Sequence, residues 1–146
     1  MNATMTKFGY PQSMIAAYPH WVVLLRPQQV TLGALVLVCK EEVTSFGALS
    51  GAAGAELVAL AKDIEQTLGA AFAHDKINYL MLMMIDPDVH FHVLPRYASP
   101  RRLADQEFTD LAWPGPARLD QINSTDAESL ARIHGTLSDL WPARSR

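Results

Sequence analysis

The chain has one cysteine, little charge and no long uninterrupted apolar run, and each shortage removes a class of protein. Cys39, alone among 146 residues, excludes an intrachain disulfide framework and a zinc site of the CxxC type. It sits within an apolar run, reads as a small buried hydrophobe and suits a reducing compartment. Charged residues make up 18% of the chain and leave a net charge of -3, with Lys and Arg scattered along it. That pattern leaves no electrostatic footprint for long nucleic acid and no polybasic membrane patch, although local groups can still hold a small polyanion. The N-terminus lacks a charged stretch followed by a clean apolar one, and residues 14–39 are interrupted by Pro19, His20, Arg26 and Gln28-Gln29. Internal repeats and low-complexity tracts are missing too. The expectation is a soluble, cytoplasmic protein.

What the chain does have is apolar material, 49% of its residues, enough for a sizeable core in one domain over 1–146. Its first dozen residues show little periodicity and read as an irregular arm. His20-Trp21-Val22-Val23-Leu24-Leu25 reads as a strand ended by Arg26-Pro27. Gly33 opens Ala34-Leu35-Val36-Leu37-Val38-Cys39, a continuous aliphatic run expected to be a strand covered on both faces and paired with the first. Ser50 is the expected N-cap of a helix over 51–72. There Leu57, Leu60, Ala61, Ile64, Leu68 and Ala71 fall at three- and four-residue spacings, with Glu56, Lys62, Asp63 and Glu65 largely opposite. Residues 77–85, too short to span a bilayer, read as a central strand whose methionines fill space adaptably. Thr125-Asp126-Ala127-Glu128 has the form of a capping box. It precedes a helical face of Leu130, Ile133, Leu137 and Trp141 that Pro142 stops.

Candidate chemistry concentrates in Asp86-Pro87-Asp88-Val89-His90-Phe91-His92-Val93-Leu94-Pro95-Arg96-Tyr97. Polar and apolar residues alternate from Asp88 to Val93, the period of a half-buried strand. Asp88, His90 and His92 are therefore expected on one face, and Val89, Phe91 and Val93 toward the core. Alternate residues of a strand lie roughly 7 Å apart, so neighbouring rungs can touch one small substrate group from two sides. Asp86-Pro87-Asp88 has the chemistry of a tight turn, which predicts an antiparallel hairpin between 77–85 and the histidine strand. Beyond Tyr97, Ser99-Pro100-Arg101-Arg102 and Trp113-Pro114-Gly115-Pro116 punctuate a covering tail or lid.

The stretch His90-Phe91-His92-Val93-Leu94-Pro95-Arg96, preceded by Asp88-Val89, resembles the signature of the histidine triad family, His-φ-His-φ-His-φ-φ with φ apolar. Asp88 stands where the first histidine would be. Gly33-Ala34-Leu35-Val36-Leu37-Val38-Cys39-Lys40 resembles the family's Gly-His-apolar segment, with Ala34 in place of the histidine, and the likeness covers residues 21–97. It implies an α+β fold: a HIT-like antiparallel sheet with a long helix packed on it, followed here by a C-terminal helix. The expected core is about 14–97, and the covering segment and helix 98–146. The family is usually dimeric and binds a nucleotide with its phosphate at the histidines, which it cleaves or transfers at the α-phosphate. By position His90 matches the nucleophile that forms a nucleotidyl-histidine intermediate, and His92 matches the histidine that contacts phosphate oxygens. Arg26 and Asn78 fall near strand ends where family members contact ribose or base, although capping and solvation are the simpler reading of both.

The residue chemistry agrees with that implication. Neutral imidazole is a competent nucleophile near pH 7, and a protonated neighbour stabilises phosphate charge. Asp88 either repels phosphate or, by hydrogen-bonding an imidazole, favours its protonated form. Arg96 pairs either with a substrate phosphate or with Asp86 or a Glu. Trp113 covers a nucleobase, seals a dimer interface or packs in the core. His20, His74 and His134 are read as solvated or locally satisfied. Three functions remain open: a nucleotidyl hydrolase or transferase acting on a nucleoside phosphoramidate or dinucleoside polyphosphate through His90, His92 and Asp88; a non-catalytic nucleotide-binding module; and a site for zinc or a similar divalent ion on Asp88, His90 and His92. The leading reading requires no cofactor or metal. Its partners are a small nucleotide and a second copy of the chain, not long nucleic acid or membrane.

Overall fold

The computed structural model describes residues 2–142. In chain order the elements are α1 (Ala3–Lys7), β1 (Met14–Ala17), β2 (Trp21–Leu25), β3 (Leu35–Cys39), α2 (Gly51–Phe72), β4 (Lys76–Leu80), β5 (His90–Arg96), β6 (Arg101–Leu103), β7 (Gln106–Phe108) and α3 (Ala127–Leu140). Five strands form one antiparallel sheet in the order β1-β2-β3-β5-β4, and β6 pairs with β7 in a separate hairpin. This is the expected α+β architecture. Among the described residues no helix is long and apolar enough to cross a membrane.

β2 and β3 pair as expected, and every residue in both is buried, because each face of the sheet is covered by a different element. Trp21, Val23, Leu25, Leu35, Leu37, Cys39 and Val93 join Leu60, Ile64 and Leu68 of α2 in the main core. On the opposite face Val22, Leu24, Val36 and Val38 pack against Met5 of α1 and Phe8, which follows it. The arm expected to be irregular is thus a one-turn helix, capped by the Asn2 side chain accepting from Met5 N, and it serves as the second cover of the sheet.

Helix α2 runs over the expected residues, with Ser50 Oγ accepting from Ala53 N. One of its polar positions departs from expectation. Asp63 is fully buried and accepts a 2.7 Å hydrogen bond from the Tyr18 hydroxyl, which in turn accepts from Trp141 Nε1 at 2.9 Å. That chain of polar contacts ties α2, the segment after β1 and the end of α3 together. At α3 the cap also shifts by one residue. Asp126, not Thr125, accepts from Ser129 N, while the Thr125 hydroxyl donates to the Asn123 carbonyl.

The strand expected over 77–85 is shorter, and it lies at the sheet edge rather than at its centre. β4 does pair with the histidine strand, from Lys76↔Arg96 to Leu80↔His92, but the connection occupies residues 81–89 and is not a tight Asp86-Pro87-Asp88 turn. The physical reason lies in its side chains. Asp86 pairs with Lys7 and Asp88 accepts from Thr4, so the loop reaches across to α1 instead of folding straight back.

Gly33 enters β3 with φ of +85°, and a Cβ there would lie 3.0 Å from Leu68 Cδ2 and 3.1 Å from the Phe72 ring. A left-handed conformation costs an L-residue about 1–2 kcal/mol, and crowding a packed core adds to it. Gly33→Ala is expected to destabilise the fold by about 2 kcal/mol or more, measured as a lowered urea midpoint with an unchanged m-value; an unaltered midpoint would refute this packing account.

Candidate functional site

β5 sends His90, His92, Leu94 and Arg96 to the face covered by α1, while Phe91 and Val93 face α2. His90 and His92 are almost fully buried, and their rings meet edge to face with centroids 5.2 Å apart. Phe8 stands over both, its ring centroid 5.9 Å from His92 and 6.3 Å from His90. Together they line a cleft of about 330 Å³, whose remaining wall includes Lys7, Arg26, Asp86, Leu82, Met84 and Leu119.

The His90 Nδ1 lies 2.6 Å from the main-chain carbonyl oxygen of Asp88. A carbonyl only accepts, so Nδ1 carries the proton, and in the neutral ring Nε2 holds the lone pair. The residue two positions earlier therefore selects the tautomer a nucleophile needs. For His92, burial first, then the neighbouring His90 and Arg26, push the imidazole down to about 4, with Asp86 opposing weakly. It is neutral at physiological pH, and its buried Nδ1 has no hydrogen-bond partner.

Asp88 turns to the same α1-covered face as His90 and His92 but lies outside the strand itself. It precedes β5, and its Oδ2 accepts from Thr4 Oγ1 at 2.8 Å and from Thr4 N at 3.2 Å. The carboxylate is therefore engaged at the first turn of α1, where a negative charge is favoured, and hydrogen-bonds neither imidazole. Ala34, where the resemblance places a histidine, is fully buried against Val30 and Leu94.

Of the residues expected to bind nucleotide, Arg26 reaches the cleft and Asn78 and Arg96 do not. Arg26 is buried; Nη1 donates to the Gln28 carbonyl at 2.7 Å, while Nε is buried without a partner. Burial lowers its pKa, yet a guanidinium remains charged. Arg96 donates from Nε and Nη2 to Asp110 at 2.6 and 3.0 Å, from Nη1 to Asn78 Oδ1, and from Nη2 to the Gly115 carbonyl. It pairs with Asp110 rather than Asp86, because β5 carries it to the far end of the sheet face. There Asn78, Arg96 and Trp113 line a separate depression.

Among the described residues no three His, Cys, Asp or Glu side chains converge to hold a metal ion. His20, read as locally satisfied, lies 3.6 Å from Glu41, and His134 Nε2 meets the Met14 carbonyl. His74 buries Nδ1 without a hydrogen-bond partner. Sequence reasoning missed Lys7 and Phe8 as cleft residues and gave Asp86 only a turn or an ion pair with Arg96. The available signal was faint: Asn2 as a cap, with Met5 and Phe8 three residues apart.

No family model matches the chain, and no curated protein matches it by sequence. Solved structures do match in shape. A histidine triad protein of Bradyrhizobium japonicum superposes with a TM-score of 0.77 at 19% identity, over 97% of each chain. One of Marinobacter aquaeolei gives 0.75 at 20%, over 97% of this chain and 94% of that one. A hypothetical histidine triad nucleotide-binding protein of Sulfolobus tokodaii gives 0.67 at 13%, over 88% and 82%. The chain has the histidine triad fold.

A histidine held down to about 4 takes up no proton between pH 8 and 5.5, whereas in the unfolded chain it titrates near 6.5. The unfolded state then binds the extra proton, so this group's contribution to stability is complete above about 6.5 and is lost as pH falls toward 4. The His92 ring proton resonances should stay constant from pH 8 to 5.5, and a midpoint above 6 in an NMR titration would contradict the burial argument.

Proposed function

We propose that the cleft binds a nucleotide with its α-phosphate at His90, and that the protein is a nucleotidyl hydrolase or transferase working through a nucleotidyl-histidine intermediate. The observation that carries this reading is the 2.6 Å contact between His90 Nδ1 and the Asp88 carbonyl, which leaves Nε2 as the nucleophilic nitrogen. The lone pair of Nε2 attacks phosphorus, a P–N bond forms, and the bond to the leaving group breaks with its electron pair. Positive charge that develops on the imidazole is met at Nδ1 by the carbonyl dipole. Water then attacks the same phosphorus and gives up a proton to solvent, the P–N bond breaks with its electron pair returning to Nε2, and nucleoside monophosphate leaves as His90 returns to its neutral form.

The surroundings suit this sequence. Phe8, Leu82, Met84 and Leu119 supply an apolar wall for a nucleobase, while Arg26 and the two imidazoles supply the polar groups. His92 is neutral in the free cleft, and a phosphate anion placed beside it favours its protonated form, so binding itself can charge it. Asp88 positions His90 through its main chain. Because its carboxylate is occupied by Thr4, the loss of the first histidine does not by itself switch the site off.

Release of nucleoside monophosphate from adenosine phosphoramidate and from a diadenosine polyphosphate tests the reading. Turnover should fall by at least about 10³-fold in His90→Ala, the loss usual for a removed nucleophile, and should survive in Asp88→Asn, whose main-chain carbonyl is unchanged. Nucleotide binding without turnover in the unmodified protein would support the non-catalytic binding module instead.

We further propose that the chain forms a homodimer through β4. That strand ends the sheet, and beside it Phe46, Leu57, Val58, Ala61, Tyr79 and Phe91 line an apolar depression of about 370 Å³. Val58 is 76% exposed there, an apolar surface that a second copy would cover. Light scattering should give twice the chain mass for the unmodified protein and the single mass for Val58→Asp; a monomeric unmodified protein would end this proposal.

A further inference from the structure

The most informative group outside the histidine motif is Lys7. It stands at the end of α1, it lines the histidine cleft, and its Nζ lies 2.9 Å from Asp86 Oδ2 across that cleft's rim. The bland explanation is that this ion pair docks α1. Docking is already provided by other contacts, however: Thr4 donates twice to Asp88, Asn2 Nδ2 donates to the Cys39 carbonyl at 3.0 Å, and Met5 and Phe8 are buried against the sheet. The Lys7 side chain itself is 48% exposed, and an exposed ion pair adds little to stability. Its placement is better explained by what enters the cleft.

The ionic groups lining the cleft besides the histidines are Lys7, Arg26 and Asp86, one cation more than anion. Arg26 is more than nine-tenths buried and its Nε lacks a partner, an unmet donor that already calls for an acceptor. Arg26 and the two histidines line one cleft, and Lys7 stands at it paired to the carboxylate of Asp86.

We propose that Lys7 binds the phosphate adjacent to the one at His90, exchanging Asp86 for it, and so makes the cleft selective for nucleotides whose leaving group is itself a phosphate rather than a neutral amine. The inference rests on the reading that places the α-phosphate at His90. It adds a specificity residue from a part of the chain that the motif does not include. In chemical terms the ligand is a nucleoside diphosphate or a larger polyphosphate. Lys7 supplies a mobile point charge that follows the second phosphate, and the buried Arg26 serves the first.

Calorimetric titration of the full chain with AMP and with ADP, in the unmodified protein, Lys7→Met and Lys7→Arg, tests this directly. The unmodified protein should bind ADP more tightly than AMP by on the order of tenfold, the scale of one charge-assisted contact. Lys7→Met should bring the two affinities together by weakening ADP alone, and Lys7→Arg should restore the preference. A preference for ADP that persists in Lys7→Met, or equal affinities in the unmodified protein, overturns the inference. Binding of neither nucleotide overturns both this inference and the reading of the cleft. The expected ADP preference in a protein that shows no turnover dependent on His90 would remove the catalytic reading and leave the role of Lys7 standing.

Discussion

Asp88 is grasped from two sides, and the cleft depends on both holds. Its main-chain carbonyl accepts from His90 Nδ1, and its carboxylate accepts from the backbone and hydroxyl of Thr4. The first contact decides which imidazole nitrogen is available for chemistry. The second brings α1 over the sheet face, and with it Phe8 against the two histidines and Lys7 at the cleft's edge. A histidine in this place would retain the carbonyl and forgo the carboxylate, so this chain has coupled its N-terminal helix to the site through a residue that the motif alone marks as a loss.

The same sheet face is divided between two polar regions by an apolar patch. Leu94, Ala34 and Val30 are buried between the histidine cleft and the far end of β5, where Arg96 is held. Arg96 and Asp110 are both buried, joined by two hydrogen bonds, and Asp110 also accepts from Tyr97 N. Removing either partner would leave a buried charge uncompensated, a cost of several kcal/mol. The pair thus pins the segment after β5 against the sheet. Asn78, opposite Leu94, completes the coordination of the guanidinium instead of reaching the cleft.

Burial shapes the remaining chemistry. His92 lies under Phe8 and beside His90 and Arg26, so its neutral form is favoured before any anion arrives. An anion placed beside it would oppose that preference, since Arg26 and Lys7, which disfavour a proton on His92, attract negative charge. The exposed apolar side chains of the 81–89 connection, among them Met84 and Ile85, belong to this setting as well. They border the cleft.

Much of this was written in local pattern. Period-two alternation placed His90 and His92 on one face, the 3.6-residue spacing and Ser50 defined α2, and aliphatic runs marked β2 and β3, because each of those signals depends only on near neighbours in the chain. Tertiary structure alone decided the rest. Asp88 found its donors in Thr4, 84 residues away, and Arg96 chose Asp110 because β5 and the following segment cross there. Asp63, polar on a helix that looked amphipathic, was buried because the Tyr18 hydroxyl could satisfy it. In each case the deciding partner is distant in sequence, and a hydrogen bond between distant residues leaves no periodic trace in the chain that forms it.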